Sequence, residues 1–386
     1  MKLFSIYSLI LLLCIMAGCA NVKTEQEQKE IIMDEKRRIT IKNNEFTADG
    51  KRIWINGTNT PWDKWNDFGG SYNDSWWDKH FAELHNAGIN AIRVWINCNN
   101  DNGAINITSD GMIRGVSGKH WSDLDKFFNT AARNQIYIMA TLLSHNHFKN
   151  EGSRPTAQRW RNMLESDEAC ASFAENYTVP FVKRYGDTPW LWSIDLCNEP
   201  DWVFEDSNCG KIPWERISYF FAVNAAAIHE NSGVLVTVGM SFPKYNSDFN
   251  GYEGNKISDA FLQKLYPNKN AYLDFWSPHY YDWVGPWYGV PFYVSPYGSK
   301  PAGFGLDASK PAVIGECPAK GSKGNTKGTE NNTIITDYES AYLKGWQGVM
   351  PWTSNGVDSN GNLQDLSPAA KNMLAKYQGV IFPFGY

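Results

Sequence analysis

The chain has 386 residues, with 36 Lys and Arg against 41 Asp and Glu and a formal net charge of -5. A mildly acidic chain with no basic block is a poor match for nucleic acid, so that class of partner is excluded. The 17 Trp, 19 Tyr and 20 Phe point elsewhere, because many fall in Gly-, Asn- and Pro-rich segments. Flat rings near loops stack on the apolar faces of sugars, while the remainder are core residues.

In chain order, Met1-Lys2 is a short positive start and Leu3 to Met16 is almost wholly apolar. Ala17-Gly18-Cys19 closes the run with small residues, the layout of a secretory signal rather than of a spanning helix. The small-small-Cys ending resembles the lipobox of bacterial lipoproteins. That resemblance implies a signal peptide over residues 1–18, a lipid on Cys19, and a bacterial membrane as partner. The outer membrane is the expected location, facing the periplasm or the exterior. An ordinary cleaved signal is the alternative. Residues 19–37 are polar, charged and free of aromatics, and read as a flexible tether. Residues 38–386 form the expected folded domain, long enough for a single barrel.

ITIKNNEFTADGKRIWING alternates, turns at Asp49-Gly50 and continues, predicting a small N-terminal β-hairpin that leads into a first strand. WWDKHFAELHNAGIN follows with Phe81, Leu84 and Ala87 at helical spacing and Gly88 as a stop. Further helices are expected over 122–135, 167–185, 213–231, 334–344 and 367–377. Short apolar strands starting near Ile53, Ala91, Ile136, Leu191, Val234, Leu273, Ala312 and Gly348 alternate with them. Alternation of this kind implies parallel pairing, and eight units in one chain predict an α/β (β/α)8 TIM barrel. An open doubly wound sheet competes, but nothing like GxGxxG follows the first strand. The helix-poor stretch from Tyr280 to Lys310 reads as a long loop after strand 6.

Chemistry in such a barrel sits at the C-terminal strand ends. There the sequence places Arg93 in IRVW, His145 and His147 after strand 3, and Asn198-Glu199 after strand 4. His279 and Tyr281 end strand 6, Glu316 ends strand 7 in AVIGEC, and Trp352 ends strand 8. Strands 4 and 7 lie nearly opposite in a barrel of eight, so Glu199 and Glu316 would face each other across the mouth. One acid with a raised pKa to protonate a leaving oxygen, and one ionised carboxylate to attack, is what glycoside cleavage needs. A separation of about 5–5.5 Å gives a covalent intermediate and retained stereochemistry.

These motifs, NEP at Asn198-Glu199-Pro200, IGE at Ile314-Gly315-Glu316 and His-x-Tyr at His279 and Tyr281, resemble retaining glycoside hydrolases of clan A. Within that clan they most resemble family 5, the cellulase and mannanase family. The resemblance implies Glu199 as acid/base and Glu316 as nucleophile, with Arg93 supporting the nucleophile. It further implies Asn198 at the sugar 2-hydroxyl, the His279–Tyr281 pair, and Trp352 as a subsite tryptophan. His145 or His147 fills the family's histidine position, and His145 is chosen. Trp62, Trp65, Trp202, Trp283 and Trp287 follow strands 1, 4 and 6 and border the mouth. Several aromatic platforms predict endo action on a β-linked polysaccharide, β-mannan first and β-glucan next. An exo-acting glycosidase and an inactive lipid-anchored glycan-binding protein are the alternatives.

The residues beside the site raise other readings. Cys98, Cys170, Cys197, Cys209 and Cys317 contain no CxxC and are odd in number, so no metal site or cofactor is expected, and at most two disulfides. His80, His85, His120 and His229 read as surface groups, and Asp195 as a barrel-interior acid without an assigned role. A monomer is expected.

Overall fold

The computed structural model describes residues 33–150, 156–241, 243–249, 252–281, 295–322 and 332–386. The predicted signal, Cys19, most of the tether, Trp283 and Trp287 lie outside these residues. No helix among the described residues is long and apolar enough to cross a membrane.

The predicted eightfold rhythm is a closed parallel barrel. Strands 1 to 6 are Ile55–Asn59, Ala91–Trp95, Tyr137–Ser144, Leu191–Asn198, Leu235–Met240 and Ser277–Pro278, and strand 8 is Gly348–Val349. Their order in the sheet is 6-5-4-3-2-1-8. The seventh position closes the ring through parallel bridges from Ala312 to Trp276, Ile314 to Val349 and Glu316 to His279. Backbone bonds secure it on both sides, Val313 N to Trp276 O at 2.9 Å and Ile314 N to Gly348 O at 3.0 Å. Strands 3 and 4 are buried along all eight residues, as a sheet covered by helices on one face and packed inside on the other requires.

Helices cover the outside. Asp74–Asn86 starts where the Asn73 side chain accepts from Trp76 N, and ends before Gly88 at φ +86°. The stretch read as one helix over 167–185 is interrupted by a π-helical segment, Ala174–Thr178. The last helix spans Leu363–Ile381 rather than starting at Ser367. Asn362 caps it by accepting from Gln364 N and Asp365 N, so the cap rather than Pro368 sets its start.

The predicted hairpin is a three-stranded antiparallel sheet, Ile39–Lys42, Glu45–Ala48 and Lys51–Arg52. It seals the end of the barrel opposite the catalytic strand ends. Phe46 meets Trp192 and Phe275 edge-on, each at 5.3 Å between ring centroids, inside a cluster that includes Ile39, Val313 and Met350. A plug is needed here because the inward residues of a barrel of eight would otherwise meet water at the bottom.

Of the four histidines expected at the surface, His85 is half-buried against Phe382 and Tyr386, and the other three are more enclosed. His80 and His120 are buried, and His229 nearly so. Each is satisfied locally: His120 by Phe68 O at 2.7 Å and Tyr177 Oη at 3.1 Å, His80 by Ser354 Oγ at 2.9 Å, and His229 by Asn270 O and Asp274. A paired imidazole can be buried at little cost, which one chain position cannot reveal. The five described cysteines are buried, and none is bonded to another of them in a disulfide.

Phe46→Ala opens a cavity in the barrel floor and is expected to cost about 3–5 kcal/mol. Guanidinium unfolding followed by tryptophan fluorescence measures this; a loss below about 1 kcal/mol would show that the plug does not support the barrel.

Candidate active site

Strand 2 puts Arg93 inside the barrel mouth, fully buried. Its guanidinium has five N–H donors, and all five are used. Nε and Nη2 donate to Asp195 Oδ2 at 2.9 and 2.7 Å, and Nη2 also to Asn198 Oδ1 at 2.7 Å. Nη1 donates to Glu316 Oε1 at 2.6 Å and to Asn59 Oδ1 at 3.1 Å. Strands 1, 2, 4 and 7 thus meet on one side chain, with the Trp95 ring 4.4 Å from its centre. Asp195 is held in turn by Gly239 N at 2.8 Å and Cys197 N at 3.2 Å on its other oxygen. Gly239 has to be glycine: a Cβ there would sit 2.6 Å from Arg93 Nη2 and 2.9 Å from both Asp195 Oδ2 and His279 Nε2.

Glu199 and Glu316 come together as the strand ends predicted. One oxygen of each and Nδ1 of His279 all lie within 4.8 Å of one another. Glu199 stands at the tip of strand 4 with φ +50°, directly before Pro200. Both features are unfavourable for a non-glycine residue, and the cost is borne by fixed partners around it. Its backbone N–H donates to Gly239 O at 2.7 Å. Its carboxyl receives His279 Nδ1 on Oε1 and Trp202 Nε1 on Oε2, both at 3.0 Å, and His145 Nδ1 stands 3.9 Å from Oε2. Glu316 receives Arg93 on Oε1 and the Tyr281 hydroxyl on Oε2 at 3.0 Å.

The two carboxyls therefore differ electrically. Burial pushes both above the usual carboxylate range. Glu316 has a guanidinium in contact, and Glu199 has only neutral donors. Burial lowers His279 to about 4, so it is neutral and donates from Nδ1, and burial keeps Tyr281 protonated. The guanidinium on Glu316 favours its ionised form, and a charge there opposes a second one on Glu199. The same cluster offers three atoms to a metal, but both Glu316 oxygens already accept hydrogen bonds and Arg93 repels a second cation.

A cleft of about 500 Å³ opens above the pair. Trp62, Trp65, Trp202, Trp352, His145, Asn198 and Tyr281 line it, all expected from the sequence. Of the two histidines after strand 3, His145 reaches the cleft, while His147 is buried with Nε2 on Asn97 at 3.0 Å. Sequence reading missed Trp95, Asn146, Ser241, Asp358 and Asn360, which also line the cleft. Trp95 had a signal, since it follows Arg93 by two residues and shares its strand face. The loop residues of TSNGVDSNG had none. Trp62 packs edge-on against Trp65, Trp95 and Trp352 at 4.7, 6.0 and 6.2 Å, forming one aromatic wall.

A (β/α)8 barrel with two facing buried carboxyls, one of them paired with a guanidinium, in an aromatic cleft is the arrangement that glycoside cleavage needs. No family model matches the chain. A curated relative, the mannan endo-1,4-beta-mannosidase of Mytilus edulis, is 24% identical over 354 residues, covering 85% of this chain and 91% of that protein. Among solved structures, the beta-mannanase of the blue mussel Mytilus edulis superposes with a TM-score of 0.76 at 22% identity, covering 90% of this chain and 99% of that one. The endo-1,4-beta-mannanase of Eisenia fetida superposes with a TM-score of 0.73 at 22% identity, covering 87% and 95%. These likenesses cover the barrel nearly end to end.

Trp202→Phe removes a donor that favours the ionised form of Glu199, so the Glu199 pKa rises. Activity needs the protonated form and is lost as pH increases through that pKa. The alkaline limb of kcat/KM is therefore expected to move up by roughly 0.5–1 pH unit. A limb that stays in place or moves down would remove Glu199 as its source.

Proposed function

We propose that this chain is an endo-acting β-mannan hydrolase, a family 5-like retaining glycosidase working by double displacement. The facing pair Glu199 and Glu316, with Arg93 on Glu316 alone, carries the reading. Glu199 protonates the glycosidic oxygen while Glu316 attacks the anomeric carbon from the other face, and the C–O bond to the leaving sugar breaks. The product is a glycosyl ester on Glu316. Its formation removes the Glu316 charge, so Glu199 becomes more acidic and can take a proton from water. The hydroxide equivalent then cleaves the ester with the anomeric configuration restored.

Arg93 on Oε1 and the Tyr281 hydroxyl on Oε2 stabilise the Glu316 carboxylate that is regenerated when the ester breaks. His279 fixes Glu199 through Oε1 in both of its protonation states, and Asn198, locked by Arg93, is presented to the sugar 2-hydroxyl. The wall of Trp62, Trp65, Trp95 and Trp352 supports successive sugars of a chain, and Trp202 flanks the acid. The mannan-cleaving relatives named above support β-mannan as the polymer.

Assay against β-mannan, β-glucans, xylan and galactan is expected to give highest reducing-sugar release on mannan with internal cuts. Proton NMR of the first products should show the β-anomer. Glu316→Gln is expected to lower kcat by about 10⁴-fold or more with binding intact. Binding without release of sugar by the unmodified protein would instead identify a glycan-binding protein.

We also propose that Cys19 carries a lipid and tethers the barrel to a bacterial membrane. Labelled palmitate is expected to enter the full-length chain and to be lost in Cys19→Ala; labelling that persists in this variant would contradict the assignment.

A further inference from the structure

A second cavity, of about 680 Å³, lies outside the barrel mouth between the helices Asp74–Asn86 and Leu363–Ile381. Its walls combine one half-exposed tryptophan, Trp76, with the amides Asn86, Asn355 and Gln364. Glu83 and Lys371 offset each other in charge. We propose that this groove is a remote binding site for a neutral pyranose chain, the same β-linked polymer that the cleft cleaves. The inference rests on the function proposed above.

Three observations carry it. First, Trp76 is braced as a platform. Its ring lies parallel to His80 at 4.8 Å with an interplanar angle of 17°. His80 is anchored to Ser354 Oγ at 2.9 Å, and Ser354 to Thr60 Oγ1 at 2.7 Å. Burial lowers His80 to about 4, so the brace adds no charge that would favour an ionic ligand. A rigid ring loses little freedom when a sugar stacks on it.

Second, the lining chemistry suits a hydroxyl-rich neutral ligand. Amides donate and accept in one plane, and the balanced charge gives no reason to recruit a phosphate or a cation.

Third, the groove and the cleft share one wall. Trp352 faces the cleft, whereas Ser354 and Asn355, a few residues further along the same loop, face the groove. Asn355 Nδ2 donates to Trp62 O at 2.6 Å, and Ser354 N to Asn59 O at 2.9 Å. A polymer held in the groove is thereby kept beside the aromatic wall, and the local concentration of cleavable chain rises.

The test uses the full chain with two groove variants. Trp76→Ala removes the platform, and Ser367→Phe fills the groove while leaving Trp76 in place. The substrates are polymeric β-mannan and the short soluble oligomer β-1,4-mannotetraose. For each variant, KM on the polymer is expected to rise about threefold or more, with kcat/KM on the tetraose unchanged. Unchanged polymer KM in Ser367→Phe, with that variant folded and active on the tetraose, overturns the site. Equal losses on both substrates also overturn it, since they would report damage to the barrel mouth. If the unmodified protein cleaves mannan and the groove variants match it, only this inference fails. If it does not cleave mannan, the function fails first and the groove's occupant with it.

Discussion

An arginine with no exposure to water needs neighbours that replace every water it gave up, and Arg93 has them. Two carboxylates and two amides from strands 1, 4 and 7 take its five N–H groups. Taking a charge out of water costs several kcal/mol, so removing any one partner would leave an uncompensated group in the barrel mouth. The arrangement also fixes the charge count of the site. Arg93 offsets one of Asp195 and Glu316, and the local balance is then minus one with Glu199 neutral. Ionising Glu199 as well would bring two unbalanced negative charges together in a buried space, so the proton stays on Glu199. When Glu316 is converted to an ester, the balance returns to zero and that obstacle disappears. The division of labour between two chemically identical side chains follows from one cation placed nearer to one of them.

The backbone serves this arrangement. Gly239 lets strand 5 approach Arg93, Asp195 and His279 closer than any side chain would permit. The strand-4 end turns Glu199 into a positive-φ conformation, which aims its carboxyl toward strand 7 and separates it from Asn198. The antiparallel sheet at the other end closes the barrel, so the aromatic core beneath the polar network remains dry. A dry floor strengthens every hydrogen bond above it.

The parts of this design that are local in sequence were legible there. Apolar runs at Ile136–Leu143 and Leu191–Leu196 marked strands 3 and 4, polar residues terminating such runs marked Glu199, His279 and Glu316, and Arg93 stood out inside the second strand, in IRVW. Asp195 was legible as an interior acid but had no role, because its partners come from strands 2, 3 and 5. The seventh strand was expected as a strand and is held only by isolated bridges. His80 and His120 were read as surface groups since their burial depends on Ser354, Phe68 and Tyr177, all distant in the chain. The part of the cleft lined by Asp358 and Asn360 comes from a loop with no periodicity. Each omission is a case where tertiary partners, and not local pattern, decide the outcome.

The central claim is that Glu316 is the group that bonds to sugar while Glu199 holds the proton. Reaction with a 2-deoxy-2-fluoro-β-mannosyl fluoride, whose fluorine slows breakdown of the ester, followed by peptide mass spectrometry tests it most directly. The account predicts one fluoromannosyl addition, carried by the peptide containing Glu316 and absent from Glu316→Gln. A label on any other residue, or steady turnover of the reagent with inversion at the anomeric carbon, would contradict it.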